Sequence, residues 1–298
     1  MSRVAARALA PAKVNLFLRV LGRRADGFHD LETLFQAVDL FDEVRVARGA
    51  PGVRLRVDGP DLGPPEDNLV HRAARAFLER TGLAAADGVD VDLAKRIPAG
   101  AGLGGGSSDA AATLRCLAAL WPGRVPGLAL HEIASSLGSD VPFFLGPSGL
   151  AWGKGRGELL EPADPLPTAH LVLVVPPVHV ATGGAYAALA RSRGEGIARA
   201  PGGKEARPPR TWDDVATLAE NDFEAVVPGA YAPVAAALEA LRAAGARPAL
   251  LSGSGSACFG VFPGAGEAEE AARALAASLG GAALAVRTLS AIPDPDLD

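Results

Sequence analysis

Five glycines and two serines stand close together in Pro98-Ala99-Gly100-Ala101-Gly102-Leu103-Gly104-Gly105-Gly106-Ser107-Ser108-Asp109, directly ahead of the alanine-rich Ala110-Ala111-Ala112. Such a loop leaves backbone N–H groups unshielded, Ser107 and Ser108 suit helix N-caps, and the positive end of the helix dipole adds to the field. The combination is a cradle for phosphate, with a plain Gly-rich turn ahead of a capped helix as the alternative. Phosphoryl transfer then demands a cation, an acceptor hydroxyl held in line, and a carboxylate that orients the hydroxyl or takes its proton. Lys13 can supply the cation and Asp140 the carboxylate, while the hydroxyl belongs to the substrate. Gly100, Gly102 and Gly105 also spell G-x-G-x-x-G, but Trp121 to Pro126 leads into another helix where a dinucleotide fold needs a second parallel strand. A Walker A loop fails as well, because no Lys-Ser or Lys-Thr follows the glycines.

The elements around these residues have to bring them together. Residues 5–20 read as paired strands, and in the second of them Lys13 and Asn15 share one face while Val14, Leu16, Leu18 and Val20 share the other. A charged turn from Gly22 to His29 precedes an apolar strand over Leu34–Leu40, so that His29 can return to the mouth beside Lys13; a solvated loop histidine is the alternative. Asp140 follows a helix over 130–137 that stops at Gly138. Pro142 biases Val141 away from helix, which leaves Asp140 in a turn before the aromatic run Phe143-Phe144. A carboxylate beside a helix C-terminus opposes the dipole, a cost that a function would explain, and an Asx turn is the competing account.

The remaining chain alternates strands and helices. Strands are expected at 53–57 and 89–93, with a helix between them that begins at Asp67 or Asn68 and stops at Gly82. Gly153 to Glu158 is a flexible basic turn and Pro162 to Pro167 a linker, which puts a boundary near 164 and two domains at 1–164 and 165–298. In the second half a fully apolar strand, 171–175, precedes a helix that Thr182 can cap. Residues 191–210, without apolar periodicity, read as a mobile loop. Helical segments start at Thr211 and run over 232–244 and 268–279, with a last strand over 284–289. Ser252-Gly253-Ser254-Gly255-Ser256 is a second small-residue loop between apolar strands, either a tight hairpin or part of a site.

Composition narrows the field. The 298 residues, 49% hydrophobic and 21% charged, suit a folded chain of two cores. A net charge of -5 argues against nucleic acid or an acidic membrane surface as partner, and no apolar run reaches membrane-spanning or secretory length, so the expected address is cytoplasmic. Cys116 and Cys258 form neither a disulfide framework nor a metal cluster and read as core thiols. Lysine occurs only at 13, 95, 154 and 204 in an arginine-rich chain, which makes each lysine informative.

Pro11-Ala12-Lys13-Val14-Asn15-Leu16-Phe17-Leu18, Arg24-Ala25-Asp26-Gly27-Phe28-His29, the glycine loop with Ser107-Ser108-Asp109, Leu137-Gly138-Ser139-Asp140-Val141-Pro142, Asn221-Asp222-Phe223-Glu224 and Ser252-Gly253-Ser254-Gly255 together resemble one family. That family is the galactokinase, homoserine kinase, mevalonate kinase and phosphomevalonate kinase superfamily, in its branch acting on 4-diphosphocytidyl-2-C-methyl-D-erythritol. The resemblance runs in order from about residue 8 to about 290. It implies an α+β fold of two domains, the N-terminal one ribosomal-protein-S5-domain-2-like and the C-terminal one ferredoxin-like, with the site in the cleft between them. It further implies transfer of the ATP γ-phosphate to the 2-hydroxyl of the cytidylylated alcohol, with Mg²⁺ assistance, by a monomer or weak homodimer with small-molecule partners only. Residue by residue, Asp140 and Lys13 become the catalytic pair, and Asn15, Phe28, His29 and Thr182 meet the substrate, His29 at the cytosine. Gly100 to Ser108, including Gly102, Leu103, Gly104, Gly105, Gly106 and Ser107, wrap the phosphates together with Pro98. Asn68 and Leu69 lie on the adenine side, Ser254 and Gly255 form a third nucleotide motif, and no metal ligand is assigned beyond Ser108 as a candidate. Phe28 stands where the family commonly has tyrosine, so a ring remains for stacking but no hydroxyl. Another small-molecule kinase of the superfamily and a nucleotide-binding scaffold without catalysis are the alternatives, and retention of both Lys13 and Asp140 speaks against the latter.

Overall fold

The computed structural model describes residues 4–85, 87–194, 199–200 and 209–297. Its first two strands, β1 (Ala5–Arg23) and β2 (His29–Gly49), pair antiparallel over nearly their whole length. Residues 5–20 are therefore one strand and not the expected pair. Pro11, which cannot donate to a ladder, is absorbed by a register shift between Pro11 and Ala12, and pairing resumes on either side. β2 outruns the expected 34–40 because Val44 and Val46 extend its buried face.

β3 (Gly52–Asp58) and β4 (Gly88–Ala94) run parallel, joined by α1 (Leu69–Thr81). Asn68 is the cap of α1, its side chain accepting from Val70 N at 2.9 Å, and Gly82 ends the helix in the left-handed region. α2 (Gly105–Leu120), α3 (Gly127–Leu137) and α4 (Val141–Leu145) follow, then the hairpin of β5 (Leu150–Lys154) and β6 (Leu159–Pro162), which extends β2. Ala6, Ala8 and Ala10 of β1 bury one face of this sheet against Phe77 of α1, Leu114 and Leu117 of α2 and Phe143 of α4.

After residues 163–169, which carry no regular element, come β7 (His170–Val175), α5 (Thr182–Arg193), α6 (Trp212–Leu218), β8 (Glu220–Asn221), α7 (Val227–Ala230) and α8 (Ala232–Ala243). β9 (Ala249–Leu251), β10 (Cys258–Phe262), α9 (Ala265–Leu279), β11 (Ala282–Arg287) and β12 (Asp296–Leu297) complete the order. The second sheet is antiparallel in the order β11-β7-β10-β9. β7 is apolar beyond His170 because both of its faces are covered: Val172 and Val174 face the core shared with α8 and α9, while Leu171 and Leu173 face Val14, Leu16 and Phe17 of β1. Of the stretch 191–210 expected to be a mobile loop, Arg191–Arg193 belong to α5, and residues 195–198 and 201–208 lie outside the described residues. α9 begins three residues earlier than expected and β11 two residues earlier. Cys116 and Cys258 are both buried and free.

Candidate active site

Two hollows meet at Gly102 and Gly104. The larger, about 660 Å³, is bordered by Lys13, Asn15, Phe28, His29, Asp140, Thr182 and Ser254. The smaller, about 340 Å³, is bordered by Asn68, Leu69, Pro98, Gly100 to Ser107, Lys95 and Asp109. Of the residues singled out from sequence, Ser108 and Gly255 border neither: Ser108 is buried in α2, and Gly255 packs against Leu251.

The glycine loop works by alternation. Gly100, Gly102 and Gly104 adopt φ of 67°, 83° and 73°, a region that side chains resist. A Cβ on Gly102 would lie 2.2 Å from Ser252 O, and one on Gly104 would lie 3.0 Å from both Lys13 Cγ and Phe144 Cζ. The helix starts earlier than the serines suggested. Gly104 is the N-cap of α2, with its carbonyl accepting from Ser108 N at 2.9 Å, so Ser107 and Ser108 lie inside the first turn and cap nothing. The first N–H groups of α2 thus open into the smaller hollow. Lys95 stands beside them, its buried ammonium bonded to Asp42 and, at 2.7 Å, to Asp109. Burial and the neighbouring Asp42 carboxylate push Asp109 up to about 8, against the pull of Lys95.

Lys13 sits mid-strand and is 3% exposed. Its Nζ donates to Asn15 Oδ1 at 2.7 Å and lies 3.5 Å from Asp140 Oδ2, with the Phe35 ring centroid 5.6 Å away. Burial holds the Lys13 ammonium below its ordinary pKa, and Asp140 partly restores it. Asn15 is itself buried: Oδ1 also accepts from Gly253 N at 2.9 Å, and Nδ2 donates to Thr33 Oγ1 at 2.7 Å. Its side chain therefore fixes Lys13 and ties β1 to the loop between β9 and β10.

Asp140 departs from the sequence expectation in its surroundings. Val141 is helical and Pro142 occupies the first turn of α4, where a missing N–H is no loss, so Asp140 is the N-cap residue of that helix and meets the favourable end of its dipole. Its carboxylate makes no capping bond, which removes the Asx-turn account and leaves the group facing Lys13.

In the same hollow, His29 stacks on Tyr186 with ring centroids 4.4 Å apart, and Tyr186 meets Phe223 edge-on at 4.8 Å. Burial and nearby Arg23 lower the His29 pKa. Phe28 is 51% exposed, with the Arg156 guanidinium 4.7 Å from its ring centroid. Thr182 opens α5 without capping it, that place being taken by Ala181, and its Oγ1 is 3.1 Å from Ser254 Oγ. Sequence reasoning missed Tyr186, Phe223, Arg156 and Arg23. Tyr186 lies one helical turn beyond Thr182, a spacing that could have found it. Asn221, quoted only for its motif, donates Nδ2 to Leu251 O and Gly253 O and braces the small-residue loop. That loop is both a hairpin and part of the site: Ser252 Oγ donates to Gly102 O at 3.0 Å, and Ala257 N donates to Ala101 O at 2.9 Å.

Among the described residues no group of three or more His, Cys, Asp or Glu side chains could hold a metal ion, and no helix is long and apolar enough to cross a membrane. Ser108 Oγ, however, is buried without a partner at the head of α2.

The family described as the GHMP kinases N terminal domain matches residues 68–146, and the GHMP kinases C terminal family matches 205–281. The chain is 48% identical over 289 residues to the 4-diphosphocytidyl-2-C-methyl-D-erythritol kinase of Anaeromyxobacter sp. (strain K), an alignment that covers 95% of this chain and 89% of the relative. It is 44% identical over 274 residues to the enzyme of the same name from Deinococcus radiodurans, covering 90% of this chain and 87% of that one. A crystal structure of a 4-(cytidine 5'-diphospho)-2C-methyl-D-erythritol kinase superposes with a TM-score of 0.73 at 38% identity, covering 95% of this chain and 98% of the other. Homoserine kinase from Cytophaga hutchinsonii shares the fold at 19% identity, with a TM-score of 0.71 and coverage of 99% and 97%.

Proposed function

The chain belongs to the GHMP kinases, in the branch of the 4-diphosphocytidyl-2-C-methyl-D-erythritol kinases, and from that footing we propose how its residues phosphorylate the 2-hydroxyl of the cytidylylated alcohol at the expense of ATP. The reaction is a step of the non-mevalonate route to isoprenoid precursors. One observation carries the residue assignment: the two hollows share Gly102 and Gly104, and the Lys13–Asp140 pair borders the larger one with Lys13 Cγ 3.0 Å from where a Cβ on Gly104 would stand.

In this reading ATP takes the smaller hollow. Asn68 and Leu69 flank its base, and the N–H groups of Gly105, Gly106 and Ser107 meet the phosphates. The alcohol takes the larger hollow, with its cytosine among Phe28, His29 and Tyr186 and the reacting hydroxyl at Asp140. Asp140 orients that hydroxyl and receives its proton, either before or during a dissociative transfer. Lys13, fixed by Asn15, pairs with Asp140 and faces the charge passing between the hollows. Thr182 and Ser254 bring a hydroxyl pair to the same hollow.

Mg²⁺ would enter this arrangement with the nucleotide, and Ser108 Oγ, buried without a partner at the head of α2, is its candidate protein ligand. When bound, it neutralises charge on the transferring phosphate. The division at residue 164, a cytoplasmic setting and a monomer or weak homodimer complete the proposal. ADP release that depends on 4-diphosphocytidyl-2-C-methyl-D-erythritol tests the whole; release with homoserine or mevalonate in its place would move the chain to another GHMP activity.

A further inference from the structure

Among the described residues, Lys95 is the one basic side chain bordering the smaller hollow, and it is tied on two sides. Asp42 of β2 takes its ammonium with one oxygen and accepts the N–H groups of Arg96 and Ile97 with the other, anchoring the chain that enters the glycine loop. Asp109 of α2 anchors no backbone. Its Oδ2 accepts from Lys95 Nζ at 2.7 Å, and its Oδ1 is buried without a partner. The ammonium lies against the first residue of α2, 3.2 Å from where a Cβ on Gly105 would stand. One carboxylate would neutralise one ammonium. A second, 3% exposed, is not needed to balance that charge, so what it offers Lys95 is an acceptor in a fixed place.

We propose that Asp109 is a positioning residue for the nucleotide: acting through Lys95, it holds the ammonium at the N–H groups of α2 by its reach as a hydrogen-bond acceptor and not by its charge. The proposal rests on reading the smaller hollow as the triphosphate site. Without Asp109 the four-carbon stem of Lys95 is free to collapse onto Asp42 alone, away from the helix start.

Asp109→Asn keeps an acceptor of the same reach and loses the charge, whereas Asp109→Ala loses both. In the full chain, a non-hydrolysable ATP analogue should bind Asp109→Asn within about threefold of the parent and Asp109→Ala at least tenfold more weakly, a difference of about 1.4 kcal/mol. KM for ATP should follow, with KM for the alcohol unchanged. Lys95, one of only four lysines, should become accessible to an amine-acylating reagent in Asp109→Ala alone, as read by mass spectrometry. Should Asp109→Ala fail to fold, Asp109→Ser takes its place with the same expectation. Equal weakening in the asparagine and alanine variants, or none in alanine, overturns the proposal. Gly106→Val separates the underlying reading: it crowds the hollow directly, and if it leaves analogue affinity unchanged, the nucleotide lies elsewhere and both ideas fall.

Discussion

Gly102→Ala tests whether the cleft depends on close approach of two loops. The residue holds φ at 83°, and an added Cβ would lie 2.2 Å from Ser252 O and 3.1 Å from Gly255 O. Both obstacles are backbone atoms, so no side-chain rotation relieves them. Restoring an ordinary carbon–oxygen contact of about 3.3 Å requires the 252–255 loop to retreat by about 1 Å. The left-handed conformation adds about 1–2 kcal/mol. Retreat also strains the bonds from Ser252 Oγ to Gly102 O and from Ala257 N to Ala101 O, each contributing about 0.5–1.5 kcal/mol. The expected loss is therefore about 2–5 kcal/mol, a fall in Tm on the order of 10 °C. Catalysis should suffer beyond stability, because Gly253 N holds Asn15 Oδ1 and Asn15 holds Lys13. A displacement of about 1 Å handed along that chain should lower kcat/KM about 100-fold, measured where the variant is fully folded. Gly106→Ala is the control for folding, since its Cβ would meet only Leu69 Cδ1 at 3.7 Å, and its Tm should match the parent. A Gly102→Ala protein with parental Tm and kcat/KM would refute the idea that this approach holds the site together.

Asp140→Asn should bind an ATP analogue normally and lose about 10²–10⁴ in kcat, since it acts on the hydroxyl and not on the phosphates; parental kcat would remove Asp140 from the chemistry. Lys13 should acylate with a midpoint below the ordinary 10.5, because burial disfavours its ammonium, and the midpoint should fall further in Asp140→Asn, where the restoring charge is gone. The linked stability has a definite sign. Between the folded midpoint and 10.5 the unfolded chain still binds the proton that the folded one has lost, so Lys13 adds stability as pH rises through that window. A midpoint at or above 10.5, or one unmoved by Asp140→Asn, would contradict the account.

What could be read from the chain was set by how local the cause was. Asn68 and Gly82 bound α1 as their types require, and the apolar run at Leu171–Val174 announced a strand, whose two faces the structure covers. Lys13 and Asn15 could be placed on one face because alternation is a property of two neighbours. The errors fell where tertiary contact decides. Pro11 looks like a break until β2 supplies partners across a bulge, and Ser107 looks like a cap until Gly104, pressed between Lys13 and Phe144, takes that place. Pro142 pointed away from helix at Val141, yet burial of Phe143 and Phe144 favours a turn of helix that Pro142 can begin. Nothing near Phe223 in sequence foretells that it backs Tyr186, which in turn backs His29, because three separate elements meet there.

β1 carries a consequence for how such a chain can be divided. Ala6, Ala8 and Ala10 belong to the core under the first sheet, Val14, Leu16 and Phe17 to the core between the sheets, and Leu18 and Val20 to the core around α8. β8 pairs beside Phe17 and Leu18, and β12 pairs with Ala6 and Arg7. A polypeptide cut near residue 164 would give two fragments, each with a slot shaped for a strand that the other holds. The halves are thus poor candidates for shuffling as separate modules: a graft of residues 165–298 onto another partner would have to import Leu18 and Val20 as well, or leave an apolar trough open to aggregation.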